Sequence, residues 1–294
     1  LARQVFNLEA RVRLPPGLLC AFSSVGSGFV IPEFSIGPLT LQTFGLMFAA
    51  SFIVSGWIVH MRLGEIGKPP DWAYEMVFAA LIGGLIGARL YFIVDNYGDV
   101  KDDLMGNLFS GSGLTWYGGA AGGAIGVILW AWWRKFLSLW LLDTVAPALA
   151  AGYAVGRIGC QLSGDGDYGK PWDGPWAMSY EDGTVPTPPG VTVHPTPIYE
   201  TLTMGLGAYV LWRLRNRFRV GILFAIYLIW AGTERFLVEF LRTNEDAALG
   251  LTAAQLESLA MIIGGLIWIL VVRNRYGTLA RPDDQMSAAD VPAR

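Results

Sequence analysis

The sequence predicts an all-α polytopic membrane protein of about seven transmembrane helices, with an N-terminal interfacial arm and a loop or head on the outer side. Three observations carry this. Of 294 residues, 53% are hydrophobic and 15% charged, with mean hydropathy +0.43; a soluble domain carries about 25% charged residues, so this chain lacks the polar surface to cover itself in water. The apolar residues gather into stretches near the ~20 residues that cross a bilayer. The basic residues between those stretches alternate in density, as they do in multi-pass chains.

The expected spans lie near 39–60, 73–95, 114–133, 137–159, 197–213, 219–241 and 255–273. Only Arg134 and Lys135 separate the third from the fourth, which predicts a tight antiparallel pair. Assigning alternate connections to opposite sides puts six basic residues with the N-terminus and twelve, including Arg213, Arg215, Arg217 and Arg219, on the other side. The positive-inside bias then sets the N-terminus outside and the C-terminus in the cytoplasm. Residues 1–37, with Phe6, Leu8, Val12 and Leu14, read as an interfacial arm. Residues 38–275 form the seven-span domain, with a Gly-, Pro-, Asp- and Trp-rich outer loop at about 160–196, and 276–294 form a flexible tail. The chain begins at Leu1 rather than Met, which suggests a start further upstream, and residues 1–20 show no cleavable signal peptide. The net charge of −3 excludes an electrostatic case for nucleic acid, and two cysteines, Cys20 and Cys160, make no metal spacing.

This topology gathers the ionisable groups at one depth. Arg89 lies late in span two and Tyr117 early in span three. Arg157 ends span four, His194, Tyr199 and Glu200 open span five, and Arg235 and Glu239 end span six. Each arginine at a helix centre costs about 2.5–3.5 kcal/mol. One reading is that each snorkels to the interface; the other is a cationic pocket for a phosphate, whose oxygens match guanidinium forks. Arg235 and Glu239, four apart, form either a plain intrahelical pair or part of that pocket. Glu200 suits a helix first turn by the dipole alone. His194 reads as a proton carrier or a surface hydrogen-bonding residue, and Tyr117 as a reactive group or an interfacial anchor. Asp165 and Asp167 suggest calcium, but Gly169 stands where a third oxygen ligand belongs and no Glu closes the loop. Cys160 is either a reactive thiol or a small buried hydrophobe. Asp143, within span four, suits an interhelical hydrogen bond.

The chain resembles the prolipoprotein diacylglyceryl transferases. The resemblance runs over about residues 33–273, through Phe34-Ser35-Ile36-Gly37-Pro38, Gly87-Ala88-Arg89-Leu90-Tyr91, Tyr117-Gly118-Gly119, Gly156-Arg157-Ile158-Gly159, His194-Pro195-Thr196-Pro197-Ile198-Tyr199-Glu200 and Arg235-Phe236-Leu237-Val238-Glu239-Phe240-Leu241-Arg242. It implies transfer of the diacylglyceryl group of phosphatidylglycerol to the thiol of a lipobox cysteine in a prolipoprotein signal peptide, releasing glycerol phosphate. It implies a bacterial cytoplasmic (inner) membrane enzyme with its outer loop on the periplasmic side. It also implies catalytic roles for Arg157, Arg235 and Tyr117. Arg89, Glu200, Glu239, Tyr199, His194 and Asp165 are expected to bind or orient substrate, with no metal or organic cofactor. Departures mark a divergent branch: Cys160 stands where many members have Asn, Asp165 for Glu, Pro197 for Gln, Phe44 for Tyr and Ala231 for another Tyr, with one residue inserted before Tyr168-Gly169. The rival readings are a non-catalytic relative that binds lipid or precursor, and a lipid transporter. A transporter predicts an internal repeat and polar groups spread through the membrane depth; neither is visible.

Overall fold

Among the described residues, apolar stretches broken by Gly, Pro and charged residues fold into seven long helices. The computed structural model describes residues 30–100 and 115–282. Most of the interfacial arm, Lys101 and the last twelve residues therefore lie outside the described residues. Within them, β1 (Glu33–Ile36) and β2 (Leu39–Gln42) lead into α1 (Thr43–Glu65), followed by α2 (Trp72–Asp95), α3 (Trp116–Trp133), α4 (Leu139–Ser163), α5 (Thr196–Leu214) and α6 (Ile222–Glu239). A second hairpin, β3 (Asp246–Ala248) and β4 (Leu251–Thr252), leads into α7 (Ala253–Tyr276). The helices stand where the spans are expected. Four of them, α1, α2, α4 and α7, are long and apolar enough to cross a membrane.

The two hairpins are an addition to the all-α expectation. Both turn in two residues: Gly37, at φ 63°, with Pro38 in the first, and Leu249 with Gly250, at 56° and 70°, in the second. Strands of two to four residues are too short to show an alternating pattern. The second hairpin runs into a capping box: Thr252 accepts from the Gln255 amide at 3.3 Å, and the Gln255 side chain accepts from the Thr252 amide at 3.1 Å. Gly277, in the left-handed region, closes the other end of α7.

The described chain forms two units. One comprises residues up to Val54, Ala146–Arg215 and Ile222–Leu279. Its core sets the small faces of Ala146, Ala150 and Ala154 on α4 against Met204 and Leu211 of α5 and Leu223 of α6, with Tyr153, Tyr227 and Trp230 around them. On α7, Gly265 lies under the Ala225 carbonyl of α6, where a methyl group would come within 2.7 Å.

The other unit comprises Ser55–Val145, Asn216–Gly221 and the residues from Ala280 on. There α3 packs along α2. The short link at Arg134 predicted α4 as its close partner, but matching glycines on α2 and α3 decide the packing: Gly83 and Gly87 face Gly118, Gly122 and Gly126 at backbone contact. At one end of this pair Glu75 accepts from Trp130 Nε1 at 2.8 Å and Arg134 Nε at 2.7 Å. Asp143 accepts from the Gly221 amide at 2.8 Å, tying α4 to the turn before α6. Arg281 donates to the Phe218 carbonyl at 3.0 Å and lies over the Trp140 ring.

Candidate active site

Three helix ends in the first unit bring a buried network of ions together. Arg157 sits in the last two turns of α4, Glu200 in the first turns of α5, and Arg235 with Glu239 at the end of α6. Pro195 and Pro197 start α5 abruptly, since neither ring needs an amide partner there. That start places Glu200 inward at 0% exposure. A carboxylate in such a place must be paired. Arg157 Nε lies 3.2 Å from one Glu200 oxygen and Arg235 Nη1 3.6 Å from the other. The Tyr153 hydroxyl, one turn before Arg157, donates to Glu200 at 2.8 Å and accepts from Arg157 Nη2 at 3.1 Å.

Two further acids complete the set. Glu239 holds Arg235 Nη2 at 2.7 Å and accepts from Asn244 at 2.7 Å. Asp167 takes Arg157 on one oxygen and Arg242 on the other. The Asp167 carbonyl also accepts from Arg242 at 2.8 Å and from the Thr196 hydroxyl at 2.6 Å. Burial alone raises the Asp167 carboxyl, but Arg157 and Arg242 outweigh it and hold it below the ordinary carboxylate range. Arg235 Nη1 is buried and has no hydrogen-bond partner among the described residues. A buried donor left in that state costs about 1–3 kcal/mol.

The loop between α4 and α5 is folded against these ends. Gly164 and Gly166, at φ 58° and 92°, reverse the chain so that Asp167 returns to Arg157. Lys170 donates from its amide to the Leu241 carbonyl at 2.7 Å and from Nζ to the Phe240 carbonyl at 2.9 Å, so a cation closes the open carbonyls after α6. Tyr180, 1% exposed, stacks on Tyr168 and donates to Gln161 at 2.7 Å; burial raises its hydroxyl above the ordinary tyrosine range. Across from the loop, Met47 of α1 packs on Gly159, where a methyl group would come within 2.9 Å of it.

Eight of the nine expected residues fall into three groups. Arg157, Arg235, Glu200 and Glu239 meet. His194 and Tyr199 form a separate aromatic patch: His194 stacks on Trp172 at 4.3 Å, and its Nδ1 is 3.4 Å from the Tyr199 hydroxyl, which accepts from Trp176 at 2.7 Å. Burial lowers His194 below the ordinary histidine value. Arg89 and Tyr117 belong to the second unit. Arg89 is buried, with its guanidinium 5.2 Å from the Phe92 ring, while Tyr117 is exposed. Thr115 donates its hydroxyl to the Ala88 carbonyl at 3.1 Å, which sets the start of α3 beside the turn carrying Arg89.

Asp165 accepts from the Asp167 amide at 3.2 Å, while it is Asp167 that meets the arginines. Cys160, Asp165 and Asp167 bring ligand atoms within 4.8 Å of one another, the one such grouping among the described residues. Both Asp167 oxygens, however, are already engaged by guanidinium groups. Sequence reasoning missed Tyr153 and weighed Asp167 only as a calcium ligand; a tyrosine four before Arg157 was the signal that could have found the former.

Long apolar helices define an integral membrane protein, here with a buried arginine–carboxylate network where three helix ends meet. Comparison with known proteins makes this specific. Residues 33–271 match the family model described as prolipoprotein diacylglyceryl transferase. The chain is 31% identical to the phosphatidylglycerol–prolipoprotein diacylglyceryl transferase of Aliivibrio salmonicida (strain LFI1238), over 89% of this chain and 95% of the relative. It is 32% identical to the one from Paraburkholderia phymatum, over 83% and 93%, and 30% identical to the one from Clostridium tetani, over 82% and 97%. The chain belongs to the prolipoprotein diacylglyceryl transferase family and is a transferase.

Proposed function

We propose that the chain transfers the diacylglyceryl group of phosphatidylglycerol to a prolipoprotein cysteine, with Arg157 and Arg235 as the donors that hold the headgroup phosphate. One observation carries the residue assignment. Two guanidiniums from separate helices share the buried Glu200 carboxylate, and Arg235 Nη1 has no hydrogen bond among the described residues. Glu200 and Glu239 fix the arginines from one side, which leaves phosphate oxygens as fitting acceptors for the remaining N–H groups.

In the reaction the thiol sulfur bonds to the glyceryl carbon, the carbon–oxygen bond to phosphate breaks, and the phosphate leaves with an added negative charge. Donors already fixed on that phosphate strengthen their hold as the charge grows, so they act mainly on the transition state. An unperturbed thiol titrates near ~8.5 and gains from a base or a positive field. Tyr117 is the proposed base or orienting group, and Arg89 a further headgroup donor. His194, Tyr199 and Asp165 are proposed to line the approach rather than touch the phosphate. The lipobox cysteine of the signal peptide is the proposed acceptor, and the lipid and that helix enter sideways from the bilayer. The proposed setting is the bacterial cytoplasmic membrane, N-terminus outside and C-terminus cytoplasmic, with the site in the outer half. The reading calls for no metal or cofactor.

Purified protein, labelled phosphatidylglycerol and a lipobox peptide test it. Thioether product from the wild type, lost in Arg157→Ala and Arg235→Ala, is expected. Binding without product would indicate a non-catalytic relative, and lipid movement without peptide a transporter.

A further inference from the structure

Within the first unit, α5 and α7 run to a common end, away from the arginine–carboxylate network. Leu211, late in α5, shares the core with Leu223 at the start of α6, and the Trp268 ring, late in α7, lies 6.3 Å from the Phe224 ring. Charge is sorted along these helices. Glu200, Glu234, Glu239 and Glu257 all lie toward the network. The second halves of α5 and α7 and the first half of α6 carry no acid; their basic residues are Arg213, Arg273 and Arg275, with Arg215 capping α5. Asp143, in the other unit, is buried and accepts from the Gly221 amide, so its carboxylate does not reach the surface. Two of these arginines end an exposed apolar stripe. On α5, Leu202, Leu206 and Tyr209 lead to exposed Arg213, whose guanidinium lies 5.9 Å from the centre of the Tyr209 ring. On α7, Ile263, Leu266 and Leu270 lead in the same way to exposed Arg273. Steps of three and four residues keep each stripe on one side of its helix. Neither Arg213 nor Arg273 joins an ion pair among the described residues. At 1.5 Å per residue each stripe is about 15–16 Å long, the depth of one leaflet of a ~30 Å hydrocarbon core.

We propose that this end of the unit is a docking surface for anionic membrane lipid, Arg213 and Arg273 each seating one lipid phosphate. The acyl chains lie along the stripe, and the phosphate meets the guanidinium where the hydrocarbon ends. Guanidinium forks match phosphate oxygens, and basic clusters at the ends of membrane helices attract anionic headgroups. Tyr209 suits the same level, with an apolar ring and a polar hydroxyl. A zwitterionic lipid fits the stripe but brings its own cation to the arginine, so the surface selects net negative charge. These lipids are not the reacting one: Arg157 and Arg235 stand late in α4 and α6, at the opposite end of the same unit. The inference stands apart from the headgroup reading above.

The test uses the whole chain in nanodiscs of dioleoyl phosphatidylcholine, alone or mixed one to one with dioleoyl phosphatidylserine. Native mass spectrometry counts the lipids that stay bound, and thermal unfolding follows stability. The wild type retains phosphatidylserine in preference to phosphatidylcholine and melts higher in the mixture. Arg213→Gln and Arg273→Gln each retain one phosphatidylserine fewer, and the double variant retains two fewer and loses the gain in melting temperature. Arg213→Lys and Arg273→Lys, which keep the charge, retain both lipids. Cations at helix C-termini also offset the helix dipole, whatever lipid surrounds them. An equal fall in melting temperature in both lipids, with retention unchanged, would leave that as their role and overturn the proposal. A wild type that retains the two lipids equally would overturn it as well. Transfer to a lipobox peptide in detergent stays at the wild-type rate in the double variant; a fall would put these arginines on the substrate's path and overturn it too.

Discussion

The Tyr153 hydroxyl donates to Glu200 at 2.8 Å and accepts from Arg157 at 3.1 Å, so one phenol on α4 links the buried acid of α5 to the arginine one turn further along its own helix. Tyr153→Phe removes that link without changing the ring. A hydrogen bond to a charged group contributes about 1.5–3 kcal/mol, and an arginine released from one restraint positions phosphate less well. We expect a loss of stability in that range and a roughly tenfold or greater fall in kcat with a smaller change in KM for lipid, since misplacement of a positioned group costs up to ~100-fold. Thermal unfolding and initial rates in the peptide assay check both. Unchanged kinetics would place Tyr153 outside the reaction.

Removing the shared acid is more damaging. Glu200→Ala leaves Arg157 and Arg235 facing each other with no carboxylate between them. Breaking a buried pair by deleting one partner costs about 3–5 kcal/mol. The variant should unfold at markedly lower temperature, and Glu200→Gln, which keeps the Tyr153 acceptor but not the charge, should fall between the two.

The pH response of Asp167 has a definite sign. Its carboxyl is held below the ordinary value by Arg157 and Arg242. The stabilisation this pairing supplies is therefore present above the unfolded-state value near ~3.9 and is lost as pH falls through the folded-state value. The wild type should be more stable than Asp167→Asn at pH 6–7, and the gap should close in acid below about pH 4. Thermal melting of both proteins from pH 3 to 7 measures it; a gap that stays constant in acid would mean the pairing is not the cause.

Packing in the second unit makes a prediction that does not involve the site's charges. A methyl group on Gly87 would meet the Gly118 carbonyl and come within 2.7 Å of Gly122 Cα, whereas at Gly205 nothing lies within 4 Å. Gly87→Ala should force α2 and α3 apart, at a cost of about 1–3 kcal/mol typical of overpacking. Gly205→Ala should be neutral or slightly stabilising in its helix. Comparing their melting temperatures decides it.

How far the sequence alone reaches differs by feature. The helices were legible because twenty apolar residues in a row have few alternatives, and α2 falls within a residue of its expected bounds. Arg157, Arg235, Glu200 and Glu239 were legible because a charge beside a span demands a partner. Which aspartate would meet Arg157 was not. Asp165 and Asp167 stand two apart in a turn set by Gly164 and Gly166, where no helical or strand period says which side chain points back. The partner of α3 was equally hidden, since it depends on glycine faces matching across two helices rather than on the length of a link. The hairpins at Gly37 and Gly250 are too short to leave a pattern.

The most direct measurement is a structure of the protein with phosphatidylglycerol bound. The account predicts the headgroup phosphate within about 3 Å of guanidinium nitrogens of both Arg157 and Arg235, with Glu200 still between the two arginines. A phosphate held elsewhere, with these arginines paired only to their acids, would contradict it.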